Sequence, residues 1–311
     1  MVAAVHGGSS AGVIQVMIAA ALWATVGVAS KLVPASETLS DLALGVSRLA
    51  VGGPVILAIA LVIRHEGLNP FRRLEPGALF GFAVGCAVFQ LCLFRAFTLL
   101  GVTATVFLTV CLPPLLACGW SLLRGRAVLT PAAVGALALA SAGLIVFAAG
   151  NWSATAPEAL VPGLALAVIA SVAFVAMTAS AREMTLAVGP LVVVGAGLTL
   201  AGLLMLAALL LVDPASVALP ADESWKVLGL TLYLGLGPTA LAYVVYCSGM
   251  ARCRSAGLGL IASMIEPGLA ALLAWMVLSE RLGPAEAIGC ALVMGAMVLL
   301  WWSERAHPAL K

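Results

Sequence analysis

The chain has 311 residues, 63% hydrophobic and 9% charged, with a formal net charge of +2. Soluble domains carry roughly 45–50% apolar and about 25% charged residues, so this composition leaves too little polar surface for a water-soluble fold. A mean hydropathy of +1.18 points to a lipid-embedded chain, and the small net charge without a basic run excludes a nucleic-acid footprint.

A bilayer core about 30 Å thick takes roughly 20 apolar residues per helix. Runs of that length predict ten membrane-spanning segments at 12–33, 41–63, 76–97, 101–123, 131–150, 158–180, 187–212, 226–249, 255–278 and 284–302. The longest connections are 64–75 and 213–225, which leave no room for a soluble domain. Val28-Ala29-Ser30 in segment one looks like a secretory cleavage site. No Lys or Arg precedes it, however, and the apolar run outlasts a signal's core, so the helix is expected to be retained.

Orientation follows the basic residues of short loops. With the N-terminus inside, cytoplasmic segments hold Arg64, Arg72, Arg73, Arg124, Arg126, Arg182, Arg252, Arg254, Arg305 and Lys311, whereas outer loops hold Lys31, Arg95, Lys226 and Arg281. This asymmetry predicts both termini in the cytoplasm. The seven cysteines mostly fall in apolar segments with no close CxxC pair, which suits packing more than disulfides or metal. His6, His65 and His307 lie in tails and a loop, so no metal site is expected, and no cofactor motif or P-loop is present.

A shift of 154 residues lays segments four and five on nine and ten: Pro113 falls on Pro267, Leu115 on Leu269, Ala117 on Ala271, Ala133 on Ala287, Gly135 on Gly289 and Thr109 on Ser263. Near the front, a shift of about 151 puts Trp23 on Phe174 and Lys31 on Arg182. The predicted fold is therefore an all-α integral membrane protein of two five-helix repeats, residues 1–150 and 151–311. An odd number of spans inverts the second repeat, an architecture in which the substrate site lies near the midplane between halves.

Leu22-Trp23-Ala24 with Lys31 opens a further pattern, continued by Arg48, Ser255-Ala256-Gly257, Glu266-Pro267 and Leu278-Ser279-Glu280-Arg281-Leu282, then Gly289 and Gly295. In order and spacing these residues resemble the drug/metabolite transporter superfamily, specifically its EamA-type ten-helix members. Arg124-Gly125-Arg126 departs from the Gly-Glu that the family often carries in the first half, at a peripheral loop. The resemblance implies a bacterial inner-membrane exporter of amino acids or other metabolites, similar to the aromatic amino acid exporters.

Ionisable groups within a bilayer cost roughly 2.5–3.5 kcal/mol at the helix centre, so each asks for a function or a partner. Glu266 falls at mid-membrane before Pro267, which predicts a kink there. It suits a proton carrier or a partner for a substrate ammonium, or a neutral acid bonded to a neighbouring helix. Arg48 suits a carboxylate, or snorkelling and pairing with Asp41. Thr239, Tyr243 and Tyr246 recur on one helical face, as do Gly259, Ser263 and Glu266. With Trp23, Gln90, Thr105, Thr109 and Ser171, they are expected to line a mildly polar cavity with aromatic walls, or else to bond helix to helix. Pro113, Pro267 and Gly257 are candidate hinges, with Gly235, Gly237 and Gly259. The expected partners are an amino acid, a proton and the bilayer, with the chain acting as a monomer. Nucleotide sugars would demand more buried cations than Arg48 and Arg95. A membrane enzyme would demand clustered carboxylates or histidines. Gly8-Ser9-Ser10-Ala11-Gly12 matches a hydrolase elbow, but no strand precedes it.

Overall fold

The computed structural model describes residues 8–32, 41–63, 69–124, 131–152, 157–212, 224–253, 256–279 and 283–306. Their regular structure is helical. The first half comprises α1 (Gly8–Lys31), α2 (Asp41–Ile63), a single turn α3 (Asn69–Arg72), α4 (Pro76–Leu100), α5 (Val102–Leu123) and α6 (Pro131–Trp152). The second comprises α7 (Pro157–Val188), α8 (Pro190–Val212), α9 (Ser224–Gly235), a π-helical turn at Leu236–Leu241, α10 (Ala242–Arg252), α11 (Ala256–Ser263), α12 (Ile265–Leu278) and α13 (Pro284–Ala306).

Prolines open many of these helices, where the missing N–H costs nothing. Glu75 caps α4 by accepting from the amides of Gly77 and Ala78. Gly101 and Gly189 join consecutive helices in one residue each, at φ of +81° and +88°, a region that only glycine enters without strain. Among the described residues, seven spans of 21 to 31 residues are long and apolar enough to cross a membrane. Further apolar stretches lie within α5, α6 and α13, which run 22, 22 and 23 residues. The outer surface agrees, since Val62, Ile145 and Leu211 expose 75, 69 and 85% of their surface where lipid would cover it.

Three predicted segments differ in detail. The sixth runs on to Val188, because Arg182 is half-buried and its guanidinium donates to the Met250 and Cys253 carbonyls at the end of α10. A cation there satisfies carbonyls that have no intrahelical donor. The eighth contains the π-helical turn around Pro238. The ninth breaks at Met264, ahead of Pro267, whose ring cannot supply the amide that the Ser263 carbonyl would accept. By contrast α5 continues through Pro113 and Pro114 as one helix. The Gly8–Gly12 motif forms the first turns of α1. His6, His65 and His307 lie outside the described residues.

The helix contacts repeat between halves. α1 packs on α10 and α12, and its counterpart α7 packs on α4 and α5, while α2 meets α8 and α6 meets α13. This set maps onto itself when the halves are exchanged, as a two-fold arrangement of inverted repeats requires. Backbones approach closely where glycines face each other. A Cβ on Gly143 would sit 2.8 Å from the Gly289 carbonyl, and one on Gly289 would sit 2.7 Å from that of Gly143. The same holds between Gly12 and Gly249, where α1 crosses α10.

Candidate functional site

An open-mouthed cavity lies between the halves. Its walls include Trp23 and Val26 of α1, Arg48 of α2, Phe89, Leu93 and Phe97 of α4, and Thr109 of α5. The second half contributes Phe174 of α7, Tyr243 of α10, Ser263 of α11 and Glu266 of α12. The residues from α1 and α4 lie in the C-terminal halves of those helices, and those from α2 and α5 in the N-terminal halves. The cavity therefore faces the end of the bundle where Gly101 joins α4 to α5. The opposite end is closed by the Gly12–Gly249 crossing, by Arg182 on the end of α10, and by the contact of Thr178 Oγ1 with Tyr246 Oη at 3.3 Å.

Repeat-related positions meet across this cavity. Trp23 and its counterpart Phe174 are in edge contact with ring centroids 5.9 Å apart, and Thr109 and its counterpart Ser263 both face the space. Tyr243 and Tyr246 pack on Trp23 at 5.3 and 4.9 Å, and Phe89 packs on Phe174 at 5.3 Å. The walls are thus largely aromatic, and interlocked rings of this kind hold their positions.

The polar centre is built on the π-helical turn. In an α-helix the Ala242 amide would bond the Pro238 carbonyl, but here it reaches those of Gly237 and Thr239. The Pro238 carbonyl instead accepts Trp23 Nε1 at 2.8 Å and Arg48 Nη2 at 3.5 Å. Arg48 also donates from Nε to Thr239 Oγ1 at 2.8 Å and from Nη1 to Gln90 Oε1 at 3.2 Å. Its guanidinium lies 5.6 Å from the Phe94 ring centre. Arg48 is 2% exposed, so it does not snorkel to the surface, and among the described side chains its partners are these neutral groups. One widened turn of the second half therefore holds a tryptophan and an arginine of the first. π-helical turns are frequent at functional sites.

Of the residues singled out by sequence, Trp23, Arg48, Thr109, Tyr243, Ser263 and Glu266 reach the cavity wall. Gln90 is fully buried against Arg48. Tyr246 packs beneath Trp23. The Thr105 and Ser171 hydroxyls donate to the carbonyls of Gly101 and Ala167 on or beside their own helices. Sequence reasoning left Phe89, Leu93, Phe97 and Val106 out of the site and used Thr239 only as part of a stripe. Phe174 was visible as the counterpart of Trp23. No cluster of three or more metal-ligating side chains occurs among the described residues.

Comparison with known proteins agrees with this architecture. The chain is 27% identical over 291 residues to the uncharacterized transporter YwfM of Bacillus subtilis (strain 168), with 92% of each chain covered. A solved crystal structure of 23% sequence identity superposes with a TM-score of 0.73, covering 97% of this chain and 100% of that one, and so shares the fold. Residues 10–149 and 161–302, one stretch in each half, both match the same family, and this multi-pass membrane protein belongs to the EamA-like transporter family.

Proposed function

We propose that this transporter exports amino acids with aromatic or other apolar side chains, Met and Thr included, and related metabolites. The observation that carries the reading is the pairing of Arg48 and Glu266 in one aromatic-walled cavity, with no salt bridge between them among the described residues. A zwitterion answers both charges: its carboxylate suits a guanidinium, its ammonium suits a carboxylate, and its side chain meets Trp23, Phe89, Phe174 and Tyr243. Three of the five N–H groups of Arg48 are engaged, which leaves two for a carboxylate.

On this reading the repeats, residues 1–150 and 151–311, rock about the cavity, with Pro113, Pro267 and Gly257 absorbing the bend. Gln90, Thr105, Ser171 and Tyr246 support the lining residues, and Glu266 carries the coupled proton. The basic-residue asymmetry puts the closed end and both termini in the cytoplasm, so the cavity described here faces outward. The chain sits in the bacterial inner membrane and works as a monomer.

The test is counterflow in proteoliposomes loaded with unlabelled amino acids, following labelled Phe, Met and Thr at two pH values. Saturable uptake by wild type, with the pH dependence lost in Glu266→Gln, is the expected result. Sealed vesicles of folded protein that take up no amino acid sink the substrate assignment, and nucleosides and sugars are then the next screen.

A further inference from the structure

Arg48 is a buried cation whose hydrogen-bond partners among the described residues are all neutral. Its three hydrogen bonds go to a hydroxyl, an amide oxygen and a backbone carbonyl. No acidic side chain among the described residues forms a contact ion pair with it: Glu266, on the same cavity wall, acts on it electrostatically across the cavity but makes no salt bridge to it. Gln90 adds a second excess donor. Arginine only donates, so Gln90 must turn its oxygen toward Arg48. Its amide nitrogen, fully buried, is left with no hydrogen-bond partner among the described residues. Buried charges are held by a counter-charge, and buried donors by an acceptor. Water could satisfy the amide of Gln90, but not the charge of Arg48.

We propose that Arg48, on the cavity wall, and Gln90, buried against it, form a binding site at the edge of the cavity for a small monovalent inorganic anion, chloride in a cell, which is held there whenever substrate is not. The anion supplies a counter-charge in direct contact with the guanidinium, and the carboxylate of an incoming substrate displaces it. Neutral hydrogen-bond partners leave the guanidinium free to exchange anions during each cycle. The displacement step rests on the amino acid reading above. The anion site itself rests only on the side chains around Arg48.

The experiment measures thermal unfolding of the purified protein in detergent, without amino acids, as gluconate is replaced by chloride at constant ionic strength. Wild type is expected to gain Tm saturably, on the order of a few degrees at chloride well above its dissociation constant. Gln90→Glu places a carboxylate beside Arg48 and is expected to abolish the chloride response. Arg48→Gln is expected to abolish it too, and if that variant does not fold, Gln90→Glu still decides. A wild-type Tm indifferent to chloride overturns the site, as does a Gln90→Glu protein that responds as wild type does. In proteoliposomes, chloride is expected to raise the apparent KM for labelled Phe in wild type and leave it unchanged in Gln90→Glu. Chloride-dependent Tm without amino acid uptake keeps the anion site and overturns the substrate reading. Amino acid uptake without any chloride effect does the reverse.

Discussion

At the scale of single residues, the site depends on who holds Arg48 and Trp23. The hydroxyl of Thr239, itself fully buried, accepts from the guanidinium at 2.8 Å. A hydrogen bond to a charged group contributes about 1.5–3 kcal/mol, so Thr239→Val is expected to weaken substrate affinity roughly tenfold or more. Thr239→Ser, which keeps the oxygen, should stay near wild type, and KM in counterflow distinguishes the two. Trp23 contributes both a ring and an N–H. Trp23→Phe keeps ring packing against Phe174 and Tyr243 but loses the 2.8 Å bond to the Pro238 carbonyl. That bond is worth about 1 kcal/mol, so a roughly fivefold loss in kcat/KM is expected. Arg48, Glu266 and Trp23 were legible in the sequence because charge and indole are rare in apolar segments. Phe89, Leu93 and Phe97 were not. Phe80 and Leu91 of the same helix face outward, 56 and 41% exposed, and nothing in composition separates a cavity wall from a lipid-facing wall.

At the scale of elements, the spans were readable from the apolar runs because each backbone must satisfy itself within the bilayer. Departures from ideal helix were readable only where proline caused them. Pro267 announced the break between α11 and α12, but the identical signal at Pro113 produced none. The π-helical turn left no mark beyond Gly235-Leu236-Gly237-Pro238, since an inserted residue changes hydrogen-bond register and not composition. Helix packing gives a clean test of the close glycine crossing between α6 and α13. Gly143→Leu forces a side chain into the Gly289 backbone, and overpacking of this kind costs about 1–3 kcal/mol. A Cβ at Gly268 on α12 meets nothing within 4 Å, so Gly268→Leu should be nearly neutral. Thermal unfolding in detergent should show a clear fall in Tm for the first and little change for the second. Equal effects would mean that helix propensity, not the crossing, decides stability.

At the scale of the whole molecule, the repeat was legible because duplicated prolines, glycines and the Trp23–Phe174 pair keep their spacing. What the sequence could not convey is which helices meet, since nearly every face is apolar. The observed contacts supply this: α1 on α10 mirrors α7 on α4, so the two ends of the bundle are built from equivalent crossings. In the present structure the α1–α10 end is shut. Gly12 and Gly249 are in backbone contact, and Arg252 of α10 donates to Gln15 of α1 at 3.1 Å. If the halves rock about the cavity, this crossing must part in every cycle. A short bis-maleimide joining Gln15→Cys to Arg252→Cys, in a background with the seven native cysteines replaced, should then hold it closed. Counterflow is expected to fall at least tenfold on cross-linking, while each single-cysteine variant treated alike keeps its rate. Substrate binding to the cross-linked protein in detergent should persist, because the cavity faces the other end. Full counterflow through the cross-linked protein would place the moving boundary elsewhere, at the equivalent crossing of α4 and α7 or between α6 and α13.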